Sequence, residues 1–260
     1  MTGTKSSTES KTSGVKERVS EGEWQTRVDL AAAYRLTAHF NWDDLIFTHI
    51  SARVPGPEHH FLINPFGMLF DEITASSLVK IDLDGNIIEP DGRLINKAGF
   101  TIHSAVHAHR DNAGCVMHLH TVAGTAVSSQ EQGLLPISQT AMLLNGQIAY
   151  HDYEGLAFNL DERPRLVHDL GDKNVLILRN HGTLTIGGTV SGAFLKMYFL
   201  ERACQMQIAA TAGGAKLVVP TEQAQHTVEE QVSMERAPTE RLLWPALLRK
   251  LDRLDPSYKS

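Results

Sequence analysis

Cys115-Val116-Met117-His118-Leu119-His120-Thr121 is the stretch that decides how this chain folds and what it can bind. Its apolar and polar residues read as a β-strand, where side chains two apart share a face. His118 and His120 are therefore expected to project together, with Met117 and Leu119 facing the other way. Two imidazoles on one face suit a shared cation, but a His-x-His pair recurs by chance and needs a third donor to mean more. Arg179-Asn180-His181-Gly182 offers one, because His181 follows directly on Val175–Leu178, a short apolar run typical of a strand buried on both faces. Gly182 permits a tight turn behind it, and sites collect at strand ends in α/β folds. Three imidazoles with an open coordination position describe a catalytic metal site, since structural zinc is usually closed by four protein ligands. Zinc is the expected ion, and Fe2+, Mn2+ and Co2+ suit the same donors.

Outward from this pair, the apolar residues Trp24, Val28, Leu30, Ala31, Tyr34, Leu36 and Ala38 recur at helical spacing and predict a core-facing helix from Glu23 to about Asn41. Strand-like segments follow at 47–54 and 60–64, and 79–88 reads as a hairpin turning at Asp84-Gly85. A helix is expected over 98–109, a second at 122–129 and a long one at 190–211. Leu243, Trp244, Leu247, Leu248, Leu251 and Leu254 form an amphipathic stripe that should dock on its own domain or on another subunit. Residues 1–20 are rich in Ser, Thr and Lys and are expected to form a disordered tail. Residues 21–218 form one domain, and 219–260 a C-terminal extension carrying the amphipathic helix.

The 42% hydrophobic and 21% charged residues are those of an ordinary globular protein, without a membrane-spanning or secretory run, so a cytoplasmic protein is expected. A formal net charge of −6 argues against a nucleic-acid surface, which needs clustered Lys and Arg. Cys115 and Cys204 lie in apolar stretches and read as reduced core thiols. His103 and His107 share a helical face, but they lack the Glu of His-Glu-x-x-His, so a zinc-protease reading fails and packing or support behind the site is expected.

The histidines sit among segments that resemble the class II aldolase and adducin family, and within it the adducin-like branch. The segments are Asn64-Pro65-Phe66-Gly67, Asn96-Lys97-Ala98-Gly99-Phe100, His118-Leu119-His120-Thr121, Gly133-Leu134-Leu135-Pro136-Ile137-Ser138, Tyr150-His151-Asp152-Tyr153-Glu154-Gly155 and Arg179-Asn180-His181-Gly182. The resemblance implies an α/β/α fold with a central, mainly antiparallel mixed sheet covered by helices. It also implies a homo-oligomer, commonly a tetramer with active sites between subunits, and zinc on His118, His120 and His181. The implied chemistry is metal-assisted cleavage of a carbon–carbon bond in a small hydroxy-carbonyl or carboxylate substrate.

The acid or base carboxylate of the sugar-phosphate aldolases falls here on Gly99, and a glycine cannot move a proton. Tyr150, His151, His103 or a metal-bound water are then the candidates for proton transfer. The phosphate-holding serines and Gly-Asn loop of those aldolases are replaced by Lys97, Ala98 and Phe47-Thr48-His49-Ile50-Ser51, so a substrate without phosphate is expected. Two alternatives stay open: a non-catalytic, adducin-like oligomeric binding protein that keeps the metal site, and a non-haem iron enzyme, which oxygen-dependent turnover would reveal.

Overall fold

A computed structural model describes residues 14–88, 92–157 and 159–260, except for the side chains of 98 and 233–238. Of the expected N-terminal tail, residues 1–13 lie outside the described residues. The remainder departs from expectation: Val15–Arg18 forms a short helix, α1, whose Val15 is buried and whose Lys16 sits over the Trp24 ring. Ser20 then caps α2, Glu21–His39, by accepting the Glu23 N–H at 3.1 Å.

The chain continues through β1 (His49–Arg53), β2 (Phe61–Ile63), β3 (Val79–Ile81), α3 (Lys97–His109), β4 (Cys115–Leu119), α4 (Val122–Ser128) and α5 (Gln139–Met142). It then forms β5 (Ile148–His151), α6 (Arg163–Leu170), β6 (Val175–Leu178), β7 (Gly182–Gly187), α7 (Val190–Thr211) and α8 (Glu222–Leu254). Among the described residues the strands form one seven-stranded sheet in the order β3-β2-β1-β4-β7-β6-β5. Every neighbouring pair is antiparallel except β5 with β6, which gives the expected mainly antiparallel mixed sheet. The expected 79–88 hairpin is reduced: among the described residues its returning arm is held by the Ile81–Ile87 bridge, the Asp82 N–H on Asn86 and the Ile88 N–H on Lys80. There the Asp82 carboxylate takes the backbone N–H groups of Asp84 and Asn86, a local turn that competes with a longer ladder.

Strand alternation sorts the core into two layers. Ile50, Met117 and Leu119 pack with Leu30 and Tyr34 of α2 and Phe194 and Met197 of α7. Val116, Leu176 and Leu184 pack on the opposite face with Ile102 and Val106 of α3 and Leu166 and Leu170 of α6. Helices on both faces of one sheet make the layered α/β/α arrangement. A buried polar group ties the first layer together: the Tyr34 hydroxyl accepts the Ile50 N–H at 2.7 Å and lies 2.9 Å from the Asn64 side chain.

The C-terminal helix docks on this body. Trp244 of α8 donates its indole N–H to Asp29 at 2.9 Å, and Leu251 is buried. After α8 the turn Pro256–Lys259 buries Tyr258, and the carbonyls of Tyr258 and Ser260 take the N–H groups of Ala75 and Ser76, each at 2.9 Å. No described helix is long and apolar enough to cross a membrane.

Candidate metal centre

The sheet order places the end of β4 beside the start of β7, with Leu119 opposite Thr183 and His118 opposite Leu184. His118 lies on β4, His120 just past its end, and His181 in the turn between β6 and β7. Gly182 is not what opens that turn: Asn180 takes the left-handed conformation, at φ 57°. Gly182 matters for another reason, since a Cβ there would stand 2.5 Å from the Leu119 carbonyl oxygen and force β4 and β7 apart.

The three rings lie pairwise at 4.8 Å between centroids, and one nitrogen from each lies within 4.8 Å of the others. Their hydrogen bonds fix which nitrogens are free. His118 Nδ1 is 3.0 Å from the Thr183 carbonyl oxygen, which can only accept, so its proton sits on Nδ1 and Nε2 keeps a lone pair. His120 Nδ1 is likewise 3.1 Å from Oδ2 of Asp44. The two Nε2 atoms nevertheless face one another at 3.1 Å. A hydrogen bond between them needs a second proton on one ring, and burial, followed by the neighbouring His181 and His120, holds His118 well below the usual histidine range. A cation shared by the rings would satisfy both facing nitrogens. The donor set therefore fits a divalent metal with nitrogen ligands, with Asp44 and the Thr183 carbonyl orienting the rings from behind. Thr121 caps α4 beside His120, and its hydroxyl donates to the buried Glu201 carboxylate at 2.5 Å.

The rings open on a cavity of about 510 Å³. Thr48, His49, Asn96 and Lys97 give it polar walls, and Phe47, Phe66, Tyr153 and Leu156 are among its apolar ones; none of the described residues lining it carries a carboxylate. His49 stands opposite His118 in the β1–β4 register. Burial, then the nearby His120, lowers its pKa to about 3, against an opposing hydrogen bond from Asn64. His181, less enclosed, is lowered to about 4 by burial and then by His120.

The side-chain candidates for proton transfer lie outside the residues that line the cavity. The Tyr150 hydroxyl accepts the Leu134 N–H at 3.0 Å, and its ring lies 4.3 Å beneath the Arg179 guanidinium. His151 is buried with Nδ1 2.7 Å from Asp169 and Nε2 3.4 Å from Glu162, at the root of the loop that carries Tyr153. His103 faces Ser51 at 2.6 Å, and Ser51 in turn reaches His107 at 2.7 Å. Gly99 lies in the cavity wall, and its missing side chain does not leave a gap, because His49 fills it. Sequence reasoning passed over Asp44, Thr48 and His49 as site residues. The strand period was the available signal for His49, since it puts His49 and Ser51 on the face opposite Ile50 and Ala52.

Comparison with known proteins places this geometry. Residues 28–208 match the family described as Class II Aldolase and Adducin N-terminal domain. A Caulobacter vibrioides protein named provisionally as an aldolase class 2 protein is 58% identical over 95% of this chain and 96% of its own length. Alpha-adducin of Rattus norvegicus is 48% identical over 75% of this chain and 27% of the adducin. Among solved structures, an aldolase II superfamily protein from Pseudomonas syringae superposes with a TM-score of 0.92 at 54% identity, covering 95% of this chain and 100% of that one. An L-fuculose 1-phosphate aldolase from Glaciozyma antarctica superposes at 0.78 with 27% identity, covering 92% and 93%.

Proposed function

The chain belongs to the class II aldolase and adducin family, and from that premise we propose that it is a metal-dependent lyase cleaving a carbon–carbon bond of a small hydroxy-carbonyl or carboxylate substrate without a phosphate. The observation that carries this reading is the convergence of His118, His120 and His181, with the Nε2 atoms of the first two 3.1 Å apart, at the mouth of a cavity. His118, His120 and His181 would hold the metal, with zinc the first choice and Fe2+, Mn2+ or Co2+ accepted by the same donors. A bound zinc ion supplies Lewis-acid polarisation of a carbonyl oxygen. The protein's part is to orient the three rings, to line the cavity with Asn96 and Lys97 for an anionic or oxygen-rich substrate, and to cover its apolar part with Phe47, Phe66 and Leu156. Proton transfer falls to a cavity-lining group rather than to Tyr150, His151 or His103, which are engaged elsewhere. The protein works in the cytoplasm as a homo-oligomer, a tetramer, in which the exposed Phe47, Phe66 and Leu156 at the cavity are covered by a neighbouring copy.

The 48% identity to alpha-adducin favours a second reading, a non-catalytic oligomeric binding protein that keeps the metal site. One experiment separates the two: metal-loaded protein is screened with hydroxy-aldehydes, keto acids and aromatic carboxylates for cleavage products. Turnover that a chelator abolishes and zinc restores supports the lyase. Metal-replete protein that turns over none of them supports the binding protein.

A further inference from the structure

The three histidines reach the site from two places, His118 and His120 from the end of β4 and His181 from the β6–β7 turn, and their convergence needs something to hold those places together. α4 holds the His181 turn at two points. The Thr125 hydroxyl donates to the His181 carbonyl at 3.3 Å, and the Ser128 carbonyl takes the N–H of Asn180, the left-handed residue of the turn, at 3.3 Å. Gly124 lets the same helix lie close against β7, since a Cβ there would stand 3.0 Å from Thr183 Cγ2 and 2.6 Å from Thr121 Oγ1. Thr183 is the residue whose carbonyl orients His118. α4 thus touches both sides of the trio, yet its seven residues, Val-Ala-Gly-Thr-Ala-Val-Ser, are too few and too weak as helix formers to keep their shape alone. The anchor is Glu201 of α7. Thr121, directly after His120, caps α4 by accepting the Gly124 N–H at 3.1 Å and donates its own O–H to one Glu201 carboxylate oxygen. The other oxygen takes the Gln205 side-chain N–H at 2.9 Å. Glu201 is 4% exposed, a costly place for a carboxylate: burial raises its pKa against the Thr121, Gln205 and Gly124 donors. It is not one of the converging ligands and does not line the cavity, so its effect on the site runs through the Thr121 cap.

We propose that Glu201 is a positioning residue for the metal centre: by holding the Thr121 cap it fixes α4, whose Thr125 hydroxyl and Ser128 carbonyl set His181 against His118 and His120. The inference rests on the three histidines holding a divalent metal, as proposed above.

The test loads the full-length protein with Co2+, reads its visible absorption bands as a signature of ligand geometry, and measures affinity by competition with a chromophoric chelator. Glu201→Ala should weaken Co2+ binding about tenfold or more and shift the bands, as loss of a group behind the ligands does. Glu201→Gln, which keeps an acceptor for the Thr121 hydroxyl, should restore the affinity and bands of the wild type. Thr125→Val, which removes the donor to His181, should change both in the same direction as Glu201→Ala, and the double variant should bind no worse than Glu201→Ala alone, because both act along one path. Tyr258→Ala, which destabilises the fold away from the site, should leave affinity and bands unchanged. The inference is overturned if Glu201→Ala keeps the wild-type affinity and bands, if Glu201→Gln loses as much as Glu201→Ala, if the effects of Glu201→Ala and Thr125→Val add in full, or if Tyr258→Ala loses as much affinity as Glu201→Ala. Should Glu201→Ala fail to fold, Thr125→Val decides, and wild-type affinity and bands there overturn the inference. A wild type that binds no Co2+ refutes the metal reading and this inference with it, whereas Co2+ held normally by Glu201→Ala refutes this inference alone.

Discussion

Acidification should unfold this protein through histidines that the fold keeps neutral. His49 and His107 are both buried, and both have their pKa lowered from the ordinary 6.5 to about 3, His49 by burial and then His120, His107 by burial and then Arg53. His107 is further fixed by the Ala113 carbonyl at 3.1 Å and by stacking on Phe61 at 4.8 Å. The folded chain then binds fewer protons than the unfolded chain between pH 6.5 and about 3. The stability from these rings is complete above pH 6.5 and is lost as pH falls through that window. At pH 5, about 1.5 units below the unfolded pKa, each ring costs about 2 kcal/mol at ~1.36 kcal/mol per unit. The pair together removes about 4 kcal/mol, a large share of the ~5–15 kcal/mol typical of a domain. Urea unfolding at half-unit steps from pH 7.5 to 5 would read this as a slope equivalent to at least two protons taken up on unfolding near pH 5. His107→Gln, which can keep the Ser51 contact, should reduce the slope by about one proton. A flat profile over this range, or the same slope in His107→Gln, would refute the reasoning.

Other consequences follow from the packing around the site. Asp44→Asn removes the carboxylate behind His120 and should weaken metal affinity ~10–100-fold in competition with a chromophoric chelator, whereas unchanged affinity would show that Asp44 does not orient the ring. Gly182→Ala drives a Cβ to 2.5 Å from the Leu119 carbonyl and should cost on the order of 1–3 kcal/mol in urea unfolding, together with metal affinity. Tyr258→Ala empties the seat of the C-terminal turn and should cost about 3 kcal/mol; a loss under ~1 kcal/mol would mean that the turn adds little to the body.

Several of these features are legible in the sequence because local periodicity and tertiary burial agree. Val175–Leu178 and Val190–Thr211 emerge with the bounds that the structure gives, the first as a continuous apolar run and the second as a long helical pattern, which Thr189 caps in the structure. β7 is harder to see: its Gly-Thr-Leu-Thr-Ile-Gly mixes polar and glycine residues, yet every position is buried, with the Thr185 hydroxyl satisfied by the Ala193 carbonyl at 2.9 Å. α6 is short and polar on its outer side, and only Leu166 and Leu170 bury in the core. At the site, the three converging histidines carry a spacing and a family pattern that the chain displays openly. The Asp44 contact and the wedge of His49 over Gly99 span long sequence separations, and no local pattern records which side chain fills another's missing volume.

Metal content is the most direct measure of the central claim. Protein expressed with zinc, iron, manganese and cobalt available is purified without chelator and analysed for elements, beside folded His118→Ala, His120→Ala and His181→Ala variants. Near one equivalent of a divalent metal per chain in the wild type, falling sharply in each variant, is the predicted result. A metal-free wild type, or variants that hold as much metal as the wild type, would contradict it.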